Sequence, residues 1–470
     1  MKNLFRLLSF GSIGLVVAVL IAATIIGNLC GSPFAIENIY HSWWFIALWA
    51  LLAVTAIVYI LRTQRRGTLI LLHASFVVVL LGGLLSFLTS KRGDMVVAQD
   101  GAPASMFEQS DGMLQKLPFR LQLESIDTVC INGGKTVADY IVHIVAADKE
   151  VITPHTISLN APLKIGGYQL CIKDVNDGNV SLLVSHDPVG RTLSYVGYVM
   201  ALISFLLLFF DRQSGFMALL HKLKCESGKR KARLYKISVS RSHLSSFTFH
   251  LSAFSVLLLS FVFLWYGRGV FPATNGGEAL MLLVLFVMLL AAALRRKKHF
   301  KLLSRVLVLV AAMFFAVAAL GLDGNSNVQP ILRTPLLGIH VATIIIAYAL
   351  LACTAINGAI ALCTKDEKRM AQQALFGRLL LYPATMLLAG GIFIGAVWAN
   401  ISWGRYWGWD PKEVWALITL LVCSVGFHSH SLPFIAKQKA FHIFCIVAFL
   451  AVLFTFFGVN LLLGGLHSYA

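Results

Sequence analysis

No two of the eight cysteines are spaced C-x-x-C, and no C-x-x-C-H occurs, which excludes a thioredoxin-type dithiol and a site for attaching haem covalently to the chain itself. Charge is scarce as well: 13% of residues are charged against 58% hydrophobic. The 39 Lys and Arg against 21 Asp and Glu leave a net +18, yet no basic stripe or base-stacking motif accompanies that excess, so nucleic acid is excluded as a partner. The first apolar block follows Lys2 and Arg6 as a signal peptide would, but it lacks a small-x-small cleavage site and further blocks follow it. It reads as a retained span. No internal repeat is present.

What the chain does contain is apolar sequence in blocks of about 20 residues, the length that crosses roughly 30 Å of hydrocarbon. Eleven spans are expected, at 7–27, 43–61, 68–89, 192–210, 245–265, 277–294, 304–322, 335–362, 379–398, 413–431 and 440–460. The fold class is therefore an all-α polytopic membrane protein of about 11 transmembrane helices, with membrane lipid as its medium. A cytoplasmic N-terminus puts 26 of the 39 Lys and Arg on the inner side, in runs such as Arg295, Arg296, Lys297 and Lys298. Most of the rest lie in one long loop, which is exempt from the positive-inside bias. The expected setting is a bacterial inner membrane, with the C-terminus on the periplasmic side.

Residues 90–191 form the one sizeable non-membrane segment. Ala138 to Val145 and Thr156 to Cys171, with Gly-Gly breaks at 133–134 and 166–167, read as short strands of a small outer β-rich domain. Cys130 and Cys171 share that segment and form either a disulfide or two unrelated buried thiols. Residues 216–244 are basic with little to bury and read as a cytoplasmic linker. The linker separates a four-span half, 1–215, from a seven-span half, 245–470.

The densest chemistry lies between two spans, at 398–415. Asp410, Pro411 and Glu413 have the spacing of an N-cap, N1 and N3, so the next helix starts there. Trp and Tyr also serve as ordinary interface anchors. Here Trp398, Trp403, Tyr406, Trp407, Trp409 and Trp415 crowd one loop, with two glycines that admit close backbone approach. An anchoring belt does not need that density, whereas a flat apolar macrocycle needs an aromatic shelf. Arg405 and Lys412 in the same loop face either lipid headgroups or the carboxylates of such a ligand.

Histidines sort by depth. His340 lies roughly 8 Å into a span that enters from outside, and His467 follows the last span on the same side; the two flank the aromatic loop. His73 and His428 share the inner half, and His430 is a substitute for His428. His250 and His442 lie near inner span ends without a matching motif and read as structural. Intramembrane ionisable groups are functional candidates, and matched pairs suit an iron with two imidazole ligands.

Trp403-Gly-Arg-Tyr-Trp407-Gly-Trp409-Asp410-Pro-Lys-Glu413 resembles the WWD signature of haem-handling proteins of cytochrome c biogenesis. Gly458-Val-Asn-Leu-Leu-Leu-Gly-Gly-Leu-His467-Ser-Tyr469 is similar to the terminal motif of the CcsA branch, and His73-Ala-Ser-Phe76 with Gly82-Gly83 looks like CcsB (ResB). The 90–191 segment is shorter than that family's outer domain. The resemblance implies a CcsB–CcsA fusion acting as a holocytochrome c synthase. It implies haem b as bound ligand and substrate, apocytochrome c with a Cys-x-x-Cys-His motif as partner, and a thiol-reducing protein nearby. His340 and His467 become the outer axial pair, and His73 and His428 the inner pair that receives haem. Trp398, Trp403, Tyr406, Trp407, Trp409, Trp415 and Arg405 become haem contacts, with Trp403, Trp407, Trp409 and Asp410 joining the outer histidines in the reaction. The alternative is a haem exporter or delivery protein without ligase activity. An electron-transferring b-type cytochrome would favour His pairs on closely opposed helices and leaves the aromatic loop unexplained.

Overall fold

The computed structural model describes residues 2–63, 66–99, 101–109, 111–130, 137–148, 151–176, 178–223, 242–269, 271–295, 300–320, 329–429 and 431–463. His467, His430 and most of the basic linker lie outside the described residues. Every expected span is a helix: α1 (Lys2–Cys30), α2 (Trp43–Thr63), α3 (Gly67–Thr89), α4 (Pro188–Phe210), α5 (Ser242–Arg268), α6 (Gly276–Arg295), α7 (Lys301–Leu320), α8 (Pro335–Leu362), α9 (Glu367–Trp403), α10 (Pro411–Val425) and α11 (Gln438–Leu453), which continues as π-helix over Phe454–Leu463. Among the described residues, nine helices are long and apolar enough to cross a membrane. The two that fall short of the expected eleven are α5, whose apolar part is Ser252–Gly267, and α10. At 15 residues α10 rises about 22 Å. It begins at Pro411, ahead of the expected 413, and stops at Val425, so the shortfall lies at its C-terminal end before His428.

Between α3 and α4 stand eight antiparallel strands: β1 (Lys91–Ala98), β2 (Ala104–Gln109), β3 (Leu114–Cys130), β4 (Val137–Asp148), β5 (Val151–Ile157), β6 (Leu163–Ile165), β7 (Tyr168–Asn176) and β8 (Asn179–His186). Their order is β5-β4-β3-β2-β1-β8-β7-β6, and a bridge between Ser158 and Ala161 draws the two edges toward closure, a near-barrel. Alternation drives this: Leu117, Phe119, Leu121 and Leu123 of β3 point inward with Val142, Ile144, Leu170 and Leu182, while their neighbours face out. The stretch Thr156 to Cys171, read as short strands with a break at 166–167, is the end of β5, all of β6 and the start of β7. Gly166 and Gly167, at φ +56° and +82°, make the turn inside it. Cys130 is exposed, Cys171 is buried and both are free thiols, so the disulfide reading is set aside.

The sheet is fixed to the bundle through a helical hairpin. The chain passes from α3 directly into β1 and from β8 directly into α4, and β1 pairs with β8 from Lys91↔His186 to Ala98↔Asn179. Small residues let α3 and α4 approach backbone to backbone: Gly190, Ser194, Gly197, Ala201 and Ser204 are all buried on α4. A Cβ on Gly197 would lie 2.6 Å from Val79 Cγ2, and one on Gly82 would collide with Ser194.

Candidate functional site

The loop that joins α9 to α10 lies at the β-domain end of the bundle and is clamped at both of its ends. α9 stops where Gly404 turns left-handed at φ +67°, a cap glycine fills without strain. That glycine also presses on the sheet, since a Cβ there would sit 2.7 Å from Leu183 Cδ2. Asn400 and Ser402 hold the same helix end: Asn400 donates to Gln169 Oε1 at 3.3 Å and Ser402 to Asn160 at 3.0 Å. At the other end the expected capping box is present. Lys412 N–H donates to Asp410 at 3.0 Å, while Glu413 accepts from the N–H groups of Gly408 and Asp410 at 2.8 and 3.2 Å. Asp410→Ala is therefore expected to cost about 1 kcal/mol, visible as a lower melting temperature.

A third anchor ties the loop to the hairpin. Tyr406, 5% exposed, shares hydrogen bonds with Ser86 of α3 at 2.8 Å and Ser194 of α4 at 3.0 Å, and Ser86 donates to Asp187, the N-cap residue of α4. The two halves of the chain thus meet on one phenol.

The structure divides the six loop aromatics into two groups. Trp398, Tyr406 and Trp415 are buried. Trp398 packs edge to face on Trp403 at 4.7 Å, and Trp415 bonds Thr24 of α1 at 3.3 Å and lies 4.0 Å from Phe454, so these rings hold the loop in place. Trp403, Trp407 and Trp409 are half-buried and present ring surface. Trp409 is the single described non-glycine residue with positive φ, at +57°. Its ring stacks on Tyr40 at 4.5 Å and 7°, with Phe45 and Trp407 edge-on at 5.5 and 5.8 Å. Strain of this kind, on the order of 1–3 kcal/mol, persists only where surrounding contacts over-determine it.

His340 lies between α8 and α9. Its Nδ1 sits 2.7 Å from the Gly391 carbonyl, which fixes the tautomer and makes Nε2 the basic nitrogen. Gly391 and Gly395, one turn apart on α9, make that approach possible, because a Cβ on Gly395 would stand 2.5 Å from His340 Cε1. Lys412, one of two loop cations that sequence reading left facing either headgroups or ligand, donates to Asn460 at 2.8 Å.

At the far end of the bundle, His73 of α3 and His428 just beyond α10 come together with ring centroids 6.2 Å apart at 83°. Each Nδ1 meets a carbonyl of its own helix, Leu69 at 2.8 Å and Ser424 at 2.9 Å, so both Nε2 atoms are the basic ones. Two imidazoles bound to one metal at about 2 Å each have a similar centroid separation. Among the described residues no cluster of three or more His, Cys, Asp or Glu could hold a metal ion. His442 is fully buried and its Nε2 meets the Met370 carbonyl at 3.3 Å.

Sequence reading missed the contribution of the first half to the shelf. Tyr40 and Phe45 carry a signal in the aromatic run Tyr40-His-Ser-Trp-Trp-Phe45, which resembles an interface belt when read alone. Also missed is a cavity of about 350 Å3 between the β-domain and the loop, lined by Cys171, Lys173, Leu183, Pro330, Ile331 and Trp403 among others. Burial pushes the Cys171 thiol up to about 11, so it stays protonated and unreactive at neutral pH.

The sequence profile of the Cytochrome C assembly protein family matches residues 274–467, and that of the ResB-like family matches residues 62–191. The chain belongs to the cytochrome c biogenesis family, a ResB-like half fused to a CcsA-like half. It is similar to Protein NrfI of Wolinella succinogenes, 35% identical over 174 residues, covering 35% of this chain and 19% of that protein. It is also similar to the cytochrome c biogenesis protein CcsA of Chlamydomonas reinhardtii, 34% identical over 233 residues, or 46% of this chain and 65% of that protein. CcsA of Triticum aestivum is 48% identical over 83 residues, 18% of this chain and 26% of that protein. The matched regions thus span between about a fifth and two thirds of these relatives. In this ResB–CcsA fusion the ResB-like match takes in α3 with His73, the strands and the start of α4, and the CcsA-like match takes in α8 to α11 with the tryptophan loop.

Proposed function

We propose that this protein is a cytochrome c synthase that receives haem b at His73 and His428 and presents it on the tryptophan shelf for covalent attachment to an apocytochrome. One observation carries the reading: His73 from the ResB-like half and His428 from the CcsA-like half meet at 6.2 Å, each with its basic Nε2 set by a carbonyl bond at Nδ1. That donor set suits low-spin haem iron. In this reading the β-domain end faces the periplasm, and His340 with His467 supplies the second axial pair.

The chain's own residues bind, orient and enclose. Trp403, Trp407 and Trp409 offer ring faces to the macrocycle, Tyr406 fixes the shelf to the ResB-like half, and Asp410 fixes the start of α10 beneath it. The bound haem supplies its vinyl groups and reduced iron. Each thiol of a Cys-x-x-Cys-His segment adds across one vinyl double bond, so that one S–C bond forms and the thiol hydrogen ends on the neighbouring carbon. The addition consumes no electrons, but both thiols must arrive reduced, hence a thiol-reducing partner. The protein's contribution is proximity and orientation. The cavity beside Trp403 is where an extended peptide would come within reach of the shelf.

The test is co-expression of the full chain with an exported apocytochrome bearing Cys-x-x-Cys-His, in cells lacking their own synthase. A covalent c-type product on the periplasmic side is expected. Haem reaching the periplasm without thioether formation would replace the synthase by a delivery protein, and an electron-transferring b-type cytochrome would give neither.

A further inference from the structure

Two guanidinium groups flank Tyr406, and between them they have one shared acid nearby. Arg92, on β1, has its nearest carboxylate 3.9 Å away at Asp187. Asp187 is already engaged, since one oxygen accepts from Ser86 and the other from the Arg191 N–H at 3.3 Å. The Arg92 Nε is buried without a hydrogen-bond partner, although the side chain as a whole is 33% exposed, so part of this group is sealed and part faces an opening. Arg405 has no hydrogen-bond or ion-pair partner among the described residues. Its guanidinium lies over Gly408, where a Cβ would stand 2.9 Å from Cζ, so the glycine makes room for it.

The acids of the loop accept from backbone: Glu413 from the N–H groups of Gly408 and Asp410, and Asp410 from that of Lys412. Burial lowers the pKa of Arg92, Asp187 opposes the change, and the charge of Arg405 adds to the lowering, so the two cations are near enough to repel. Like charges held together beside an unmatched buried donor describe a site that lacks its anion.

We propose that Arg92 and Arg405 clamp the two propionate carboxylates of a haem lying on the tryptophan shelf. This rests on the haem reading above and deepens it. Haem carries its two carboxylates on one edge of a flat apolar ring, and the guanidinium fork matches a carboxylate with two parallel hydrogen bonds. Arg405 stands between Trp403 and Trp407 in sequence, so the charged edge and the ring face are served by one loop. Arg92 comes from the ResB-like half, so the two halves share the grip on the carboxylate edge.

The full-length protein in nanodiscs, carrying His73→Ala and His428→Ala so that the inner pair is silent, is titrated with haemin and with haemin dimethyl ester. The protein with both arginines should bind haemin at least tenfold more tightly than the ester. Arg92→Gln and Arg405→Gln should each weaken haemin binding about tenfold and leave ester binding unchanged, the latter showing that the variants are folded. Arg405→Lys should recover part of the loss. Equal affinity for haemin and ester in the unsubstituted protein, or Gln variants that bind haemin as before, would overturn the clamp while leaving the shelf. Absence of binding by both compounds would remove shelf and clamp together. Loss of copurifying anionic phospholipid in the Gln variants, with haemin preference intact, would assign the arginines to lipid headgroups and overturn the clamp.

Discussion

His428→Ala is expected to strip at least about tenfold of the haem that copurifies with the chain, and His73→Ala to do the same, because each supplies half of a two-imidazole donor set. The rings stand 6.2 Å apart at the far end of the bundle, one on α3 and the other just past α10. Neither helix can replace the other's donor. The loss should be cooperative, so that the double variant is no worse than either single one. His442→Ala is the informative control. His442 is fully buried and bonded to the Met370 carbonyl, so its removal should lower thermal stability and leave haem content unchanged. Haem measured as the pyridine haemochrome in all three variants decides the matter, and unchanged haem in both His73→Ala and His428→Ala would return the pair to a packing role.

The second large effect concerns the β-domain end. His340→Ala should convert shelf-bound haem from low-spin toward high-spin, with added imidazole restoring the low-spin spectrum, and should depress thioether product strongly; His467→Ala should behave alike. The geometry adds a variant that leaves the ligand in place. Gly395→Val puts a branched side chain where even a Cβ would stand 2.5 Å from His340 Cε1, so the imidazole must swing away from the Gly391 carbonyl. It should reproduce the high-spin spectrum of His340→Ala. Trp407→Ala should separate from both, with lower haem occupancy while residual haem stays low-spin. Product yield matching the parent protein in His340→Ala and His467→Ala would sink the role given to this pair.

Depth was legible in the sequence because a helix rises by a fixed 1.5 Å per residue. Counting from span ends placed His73 and His428 at one level, and the structure brings them together. The capping box at Asp410 was legible for a similar reason, being local chemistry at fixed offsets. The division of the aromatic loop into Trp398, Tyr406 and Trp415 as anchors and Trp403, Trp407 and Trp409 as surface was not legible. It depends on what packs behind each ring, and those neighbours, Ser86, Ser194, Thr24 and Tyr40, come from up to 391 residues away. Arg92 escaped notice because, within β1, it looks like any outward-facing charge on a strand. The count of eleven spans read α10 as full length to 431, whereas the helix stops at Val425 and the chain turns from Gly426 toward His428.

The α3–β1 and β8–α4 junctions have a mechanical consequence. A hairpin in contact backbone to backbone at Gly82, Gly190 and Gly197 cannot slide or rotate one helix against the other without collision, and the ladder from Lys91↔His186 to Ala98↔Asn179 carries that rigidity into the sheet. Helix pair and β-domain form a single lever whose long arm is α3. His73 sits near one tip and the cavity beside Trp403 lies past the other, with about 24 Å of helix rise between His73 and Thr89. A load applied to the sheet therefore does not dissipate at the membrane surface but tilts the arm as a whole. The two proposed haem positions would then report on one angular coordinate instead of two independent local states.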